Sequence, residues 1–239
     1  MQTGEFIAAF REAFGPVPEL PLLFRYTDEP LRPVEKVGGC FFKVLAQARG
    51  GQPVGLNASN IGCGGGKFYT GFSPMPEFVP QFVSLRERYK QTPEMVLEFI
   101  AALDLRPAPK AWIEFVRVDA AGTFVGAEGV LFFATPDVLA GLATWAGFDN
   151  NAPDAVAAPF GSGCSTVVSQ AVQENRNGGR RCFLGLFDPS VRPWVGADEL
   201  CFVIPMSRFG EMCGTMRASC LFGTHAWDKV RNRINKVDL

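Results

Sequence analysis

Residues 129–148 read GVLFFATPDVLAGLATWAGF, the most apolar window of the chain. Two readings compete for it. A membrane span needs about 20 consecutive apolar residues. Thr135-Pro136-Asp137 interrupts this run and divides it into a strand and a helix. The first piece, GVLFFA, is rich in β-branched and aromatic residues, which suit a pleated surface. In the second piece Thr135 and Pro136 mark a helix start, and Val138, Leu139, Leu142 and Trp145 fall on one helical face. The strand–helix reading excludes a membrane span and predicts a soluble fold. The same order, strand then proline then amphipathic helix, returns in LCFVIPMSRFGEM at 200–212. We read the echo as a shared way of starting a helix rather than as a duplication.

Working outward, the pattern predicts a helix over 3–14, with Phe6, Ile7, Phe10 and Phe14 on one face. LPLLFRYTD then reads as a strand, CFFKVLAQARGG as a helix ended by Gly50, and PVGLNAS as a short strand. Helices follow at about 77–89 and 93–103. The second opens with Thr92 as cap and Pro93 at the first helical position. KAWIEFVRVD, RCFLGLF and ELCFVIP read as strands, and STVVSQAVQEN and SRFGEMCGTMRASC as helices. The mixed order predicts an α+β fold, a mixed or antiparallel sheet with several amphipathic helices, in a single domain over 1–239.

Composition narrows the function classes. The chain has 239 residues, 47% hydrophobic and 20% charged, with a formal net charge of −1. That balance predicts no global attraction to nucleic acid or to an acidic membrane surface. The basic tail WDKVRNRINKVDL alternates with Trp227, Val230 and Ile234, as a solvated helix face does. The N-terminal stretch MQTGEFIAAFREAFG lacks a secretory pattern, and seven cysteines is an odd number. Reduced thiols in a cytoplasmic protein are the expectation.

The chemistry centres on NIGCGGGKFYTGF, residues 60–72. A phosphate loop would need Gly-Lys followed by Ser or Thr, and here Phe68 follows Lys67. A dinucleotide turn would need a third glycine where Tyr69 stands. A cysteine hydrolase would need a base, and His225 is the one histidine in the chain. A set is more informative than any of these motifs. Cys40, Cys63 and Cys164 each directly follow a glycine. Cys40 and Cys164 fall at predicted helix starts, where the helix-end partial charge favours a thiolate. Cys63 falls in a predicted turn, with Gly64 and Gly65 permitting close backbone approach. Cys182, Cys201, Cys213 and Cys220 lie in strands or on an apolar stripe and read as packing residues. No Cys-x-x-Cys pair is present.

Three blocks carry a resemblance: residues 40–72, PFGSGCSTVVSQAV at 159–172, and LGLFDPSVRPWVGADELCFVIPMSRF at 184–209. In these, over most of its length, the chain resembles the uncharacterised ArCR family, domain of unknown function family 169. That family is bacterial and archaeal and has no assigned activity. The resemblance implies that the three Gly-Cys positions belong to the family pattern. Relatives carry a further cysteine near the position of Leu186, and four thiols would suit an iron–sulfur cluster. This chain departs there, with Asp188 and Arg192 nearby instead. FDPS is also plain turn chemistry. If that loop faced Cys63, Arg192 could hold an anion bidentately.

The sequence therefore predicts a pocket built from Cys63, Cys164 and Cys40, with Gly64, Gly65, Lys67, Asp188 and Arg192 around it. It would bind a metal such as zinc, an iron–sulfur cluster, or a small anionic ligand. Two rivals stand beside this reading. One is a thiol-dependent enzyme, redox or nucleophilic, using Cys63 or Cys164. The other is an interaction module whose cysteines only pack. Homo-oligomerisation is left open.

Overall fold

The computed structural model describes residues 2–236, so the last three residues of the basic tail lie outside the described residues. The elements run α1 Thr3–Phe14, β1 Leu22–Thr27, α2 Phe42–Arg49, β2 Val54–Leu56, α3 Gly64–Tyr69 and α4 Val79–Gln81. A π-helical turn, Phe82–Arg86, extends α4. Then come α5 Pro93–Ala102, β3 Trp112–Arg117, α6 Val118–Ala121, β4 Gly129–Ala134, α7 Pro136–Gly147 and β5 Val156–Ala157. A second π-helical turn, Ser165–Ser169, runs into α8 Gln170–Arg176. β6 Cys182–Gly185, β7 Leu200–Pro205, α9 Met206–Thr215 and α10 His225–Asn235 complete the order.

One seven-stranded sheet, in the order β2-β3-β1-β4-β7-β6-β5, organises an α+β single-domain fold. The pairs are antiparallel except β5–β6, which is parallel at the edge. The decisive window splits where Pro136 predicts. GVLFFA is the central strand β4, buried along its whole length. It is apolar without alternation because helices cover both faces of the sheet. Val130, Phe132 and Ala134 enter one core, and Leu131 and Phe133 enter the other. β4 pairs with β7 from Gly129↔Pro205 to Ala134↔Leu200, so the two strand–proline–helix units lie side by side.

The two faces differ. On one, α1, α7, α9 and α10 pack Phe6, Phe10, Phe14, Trp145, Phe209 and Met212 against the sheet. Buried polar atoms there mostly find partners, although the fully buried Arg208 of α9, paired with Asp149, Glu211 and the Ala146 carbonyl, leaves its Nε without one among the described residues. The Trp145 indole donates to the Met212 carbonyl at 2.7 Å, and the Trp227 indole to the Ala13 carbonyl at 2.7 Å. Cys182 and Cys213 pack in this core. On the other face lie α2, α3 and α8. There the packing opens into a cavity.

Local signals held in part. Thr92 caps α5, accepting from the Met95 N–H at 3.3 Å. Thr135 precedes α7 in extended backbone but makes no side-chain cap. The helix expected over 77–89 is instead the short α4 and its π-helical turn. Pro80 stands in the first turn, where its missing N–H costs nothing, and the run stops just before Arg88, which takes φ +58. β5, two residues long, has too few residues to show a pattern.

Candidate functional site

The three Gly-Cys positions line one cavity of about 450 Å³. Each arrives there for its own physical reason. The stretch before Cys40 runs beside the stretch before Cys63. The Val37 N–H donates to the Asn60 carbonyl at 2.7 Å, and Val37 and Ile61 form a parallel bridge. Asn60 pins the crossing, with its side-chain amide donating to the carbonyls of Val34 and Gly55 at 3.0 and 3.1 Å. Gly62 must be glycine for this contact, because a Cβ there would sit 2.1 Å from the Val37 carbonyl oxygen. Gly39 has φ +79, a left-handed conformation that a side chain strains. Gly163 lets the third segment in, since a Cβ would lie 2.8 Å from the Phe42 ring and 3.0 Å from Leu186.

Cys63 does not sit in an open turn, as the three glycines suggest. It caps α3, with its Sγ accepting from the Gly66 N–H at 3.4 Å. Three consecutive glycines disfavour a helix by propensity. Tertiary contacts override that here, with Gly66, Phe68 and Tyr69 buried against the core. Gly64 and Gly65 line the cavity beside Cys63.

Asp188 also lines the cavity and is 1% exposed. It starts the expected turn, with the Val191 N–H donating to its backbone carbonyl at 3.2 Å. Its Oδ1 accepts from the Ser190 hydroxyl. Its Oδ2 is buried and has no hydrogen-bond partner among the described residues. Two residues earlier, buried Leu186 holds φ +72, a conformation that costs a non-glycine residue about 1–2 kcal/mol. The first π-helical turn borders the same space through Phe82 and Val83, and the second begins directly after Cys164. Such turns recur at functional sites.

Two of the predicted site residues lie elsewhere. Arg192 does not line the cavity. Its guanidinium donates to the carbonyls of Glu199, Gly196 and Ala197 at 2.5, 2.8 and 2.9 Å, so it ties the 186–199 loop together. A guanidinium with its N–H groups spent on backbone oxygens has little left for an anion. Lys67, in the second half of α3, is also absent from the cavity wall. The charged groups that do line it, besides Asp188, are Glu87 and Lys90. The Lys90 ammonium lies 5.4 Å from the centroid of Phe99 and 5.9 Å from that of Phe160.

The expectation of thiolates at the helix starts is overturned. Burial pushes the Cys40 thiol up to about 11, and the charges of Cys63 and Asp188 push it the same way. Burial pushes Cys164 up further still, against the Ser162 hydroxyl 3.6 Å from its sulfur. Desolvation of a charged sulfur outweighs the partial charge of a helix end. Burial likewise raises the Tyr69 phenol, with Cys164 and Asp188 adding to it. These groups are neutral at physiological pH.

Among the described residues, no group of three or more His, Cys, Asp and Glu side chains is arranged to hold a metal ion. Cys63 spends its sulfur on the α3 cap and Cys164 is paired with Ser162. The metal-ligating role expected for Cys40, Cys63 and Cys164 therefore has no geometric support.

Most of the wall was not singled out by the sequence. Phe42, Tyr69, Phe78, Val79, Val96, Phe99 and Phe160 surround the thiols. Several read as ordinary stripe residues, because a cavity wall and a packed core draw on the same side chains. Among the described residues no helix is long and apolar enough to cross a membrane.

The fold and cavity define an α+β protein with helices on both faces of a mixed sheet and a thiol-lined pocket on one of them. The sequence model of the uncharacterised ArCR family, domain of unknown function family 169, matches residues 21–215, and the chain belongs to that family. The matched span runs from β1 to the end of α9, taking in every strand and the whole cavity wall, while α1 and α10 flank it. No curated protein and no solved structure matches the chain.

Proposed function

We propose that this protein binds a small organic molecule with an apolar body in the cavity of the three Gly-Cys positions. The observation that carries the reading is their convergence. Three distant segments, each admitted by a glycine, open onto one cavity of about 450 Å³ walled by aromatic and aliphatic side chains. Ligand sites are typically about 300–1,000 Å³, apolar, with a few placed polar groups. An anionic ligand is disfavoured, since two carboxylates, Asp188 and Glu87, line the cavity against the one ammonium of Lys90, and Arg192 and Lys67 do not line it.

A thiol-dependent reaction is the second reading, and Cys63 supports it. Its sulfur is half-buried, at the cavity wall, and accepts a backbone N–H. Cys164 is the poorer nucleophile, because the thiolate is the attacking form and burial disfavours it there.

The test uses phenylnaphthylamine, a neutral fluorophore that brightens in apolar sites, with the wild type and a Val83→Trp variant. Val83 lines the cavity, and the larger ring would occupy it. Saturable binding to the wild type, lost in the variant, is the expected result. Equal binding to both would remove the cavity as the site. Stoichiometric zinc, or iron with labile sulfide, in protein purified without oxygen would overturn the reading in favour of a metal centre.

A further inference from the structure

We infer that the ligand carries a protonated amine, and that the buried carboxylate of Asp188 is the group that receives it. The inference rests on the pocket reading above and adds the chemistry of one end of the ligand. Asp188 is 1% exposed, and its Oδ2 has no hydrogen-bond partner among the described residues. Its one side-chain contact is the Ser190 hydroxyl, which satisfies the other oxygen. Buried carboxylates are ordinarily paired with a cation or bonded through both oxygens. Here neither nearby cation is hydrogen-bonded to it. Arg192, four residues on, is spent on the carbonyls of Gly196, Ala197 and Glu199. Lys90, on the same cavity wall, lies over the rings of Phe99 and Phe160.

The surroundings match an amine. Cys40, Cys164 and Tyr69 feel the charge of Asp188 and are held neutral by it and by burial. They offer a soft, uncharged lining on a wall whose other charged groups are Glu87 and Lys90. An ammonium group supplies the N–H donors and the positive charge that Oδ2 lacks, at a place where low dielectric strengthens both. The aromatic wall would take the rest of the molecule. A phosphate or carboxylate at the same point would meet the carboxylate, and among the described residues no cation is hydrogen-bonded to it.

The experiment compares three probes of one shape by calorimetric titration: phenethylamine, phenethyl alcohol and phenylacetate, each with wild type and Asp188→Asn. The wild type should bind the amine at least about tenfold more tightly than the alcohol, and phenylacetate weakest. Asp188→Asn should remove the preference for the amine while leaving the alcohol unchanged. Equal affinity of the wild type for amine and alcohol would overturn the role of Asp188 and leave the pocket reading standing. That comparison needs no variant, so it holds even if Asp188→Asn folds poorly. Failure of all three probes, together with phenylnaphthylamine, would remove the pocket reading itself.

Discussion

The two faces of the sheet share the same central strands yet solve different problems. Under α1, α7, α9 and α10, large rings interlock and both buried indoles reach carbonyls. Under α2, α3 and α8 there is a cavity, a carboxylate oxygen without a partner, a buried leucine at positive φ and two π-helical turns. Each of these features is unfavourable on its own, and here they gather on one face, whereas the closed face leaves only the Nε of Arg208 unpaired among its described residues. Cysteine makes the contrast sharp. Cys182 and Cys213 fill the closed face as small apolar residues, whereas Cys40, Cys63 and Cys164 border space.

The largest expected effect tests what the faces have in common. Burial raises the thiols of Cys164, Cys182, Cys201 and Cys213, with Cys182 and Cys213 pushed to about 12. Unfolded thiols ionise near about pH 8.5. Above that, the folded chain keeps protons that the unfolded chain has lost, so stability falls as pH rises toward the folded values. Each such thiol removes about 1.4 kcal/mol per pH unit, and the four together up to about 5. Total stabilities are only about 5–15 kcal/mol. Urea titrations from pH 7 to 11 should show the midpoint collapsing above pH 9. Labelling with iodoacetamide over the same range should reach Cys40, which is half-buried and the least raised of the three, before Cys182 and Cys213. A flat profile would mean that burial does not hold these thiols protonated, and simultaneous labelling of Cys40 with Cys182 and Cys213 would break the comparison of the faces.

A smaller effect comes from one chemical change made on each face. An added Cβ at Gly141 would meet the Trp227 ring at 2.3 Å and Phe14 at 2.7 Å. That indole is fixed by its bond to the Ala13 carbonyl within the closed core. Gly141→Ala should therefore cost about 2–3 kcal/mol, even though alanine is the better helix former. An added Cβ at Gly163 would meet Phe42 at 2.8 Å. Phe42 borders the cavity and can shift into it, so Gly163→Ala should cost about 1 kcal/mol while reducing the space for ligand. Chemical denaturation of both variants decides the order. If Gly163→Ala is the more damaging, the cavity face is as rigid as the closed one.

What the sequence disclosed follows the same division. The closed face was legible because α1, α7 and α9 show their buried stripes at helical spacing, and Pro136 punctuates the decisive window. Cys40, Cys63 and Cys164 could be grouped by their preceding glycines, but nothing local says that Val37 would bridge to Ile61 and bring two of them together. The missing partner of Asp188 was equally invisible, because turn chemistry explains FDPS completely at the level of sequence. Arg192 looked like an anion ligand for want of knowing that Gly196, Ala197 and Glu199 would offer it three carbonyls. Propensity was misleading at Gly64-Gly65-Gly66, where packing of Phe68 and Tyr69 makes a helix that glycine alone opposes.

The smallest effect concerns the residue that joins the two levels. Cys63 is both the cap of α3 and a group on the cavity wall. Serine is a preferred cap and its oxygen can accept the Gly66 N–H in place of sulfur. Cys63→Ser should therefore leave stability within about 0.5 kcal/mol of wild type, whereas Cys63→Ala, which loses the cap, should cost about 0.5–1 kcal/mol. Urea midpoints of the two variants measure this. The serine variant then isolates the sulfur, because it keeps the fold while removing the thiol. If it binds phenylnaphthylamine as the wild type does, sulfur at this position serves the cap and the pocket shape alone. If binding changes while stability does not, the thiol itself contacts the ligand, and the second reading, a thiol-dependent reaction at Cys63, becomes the stronger one.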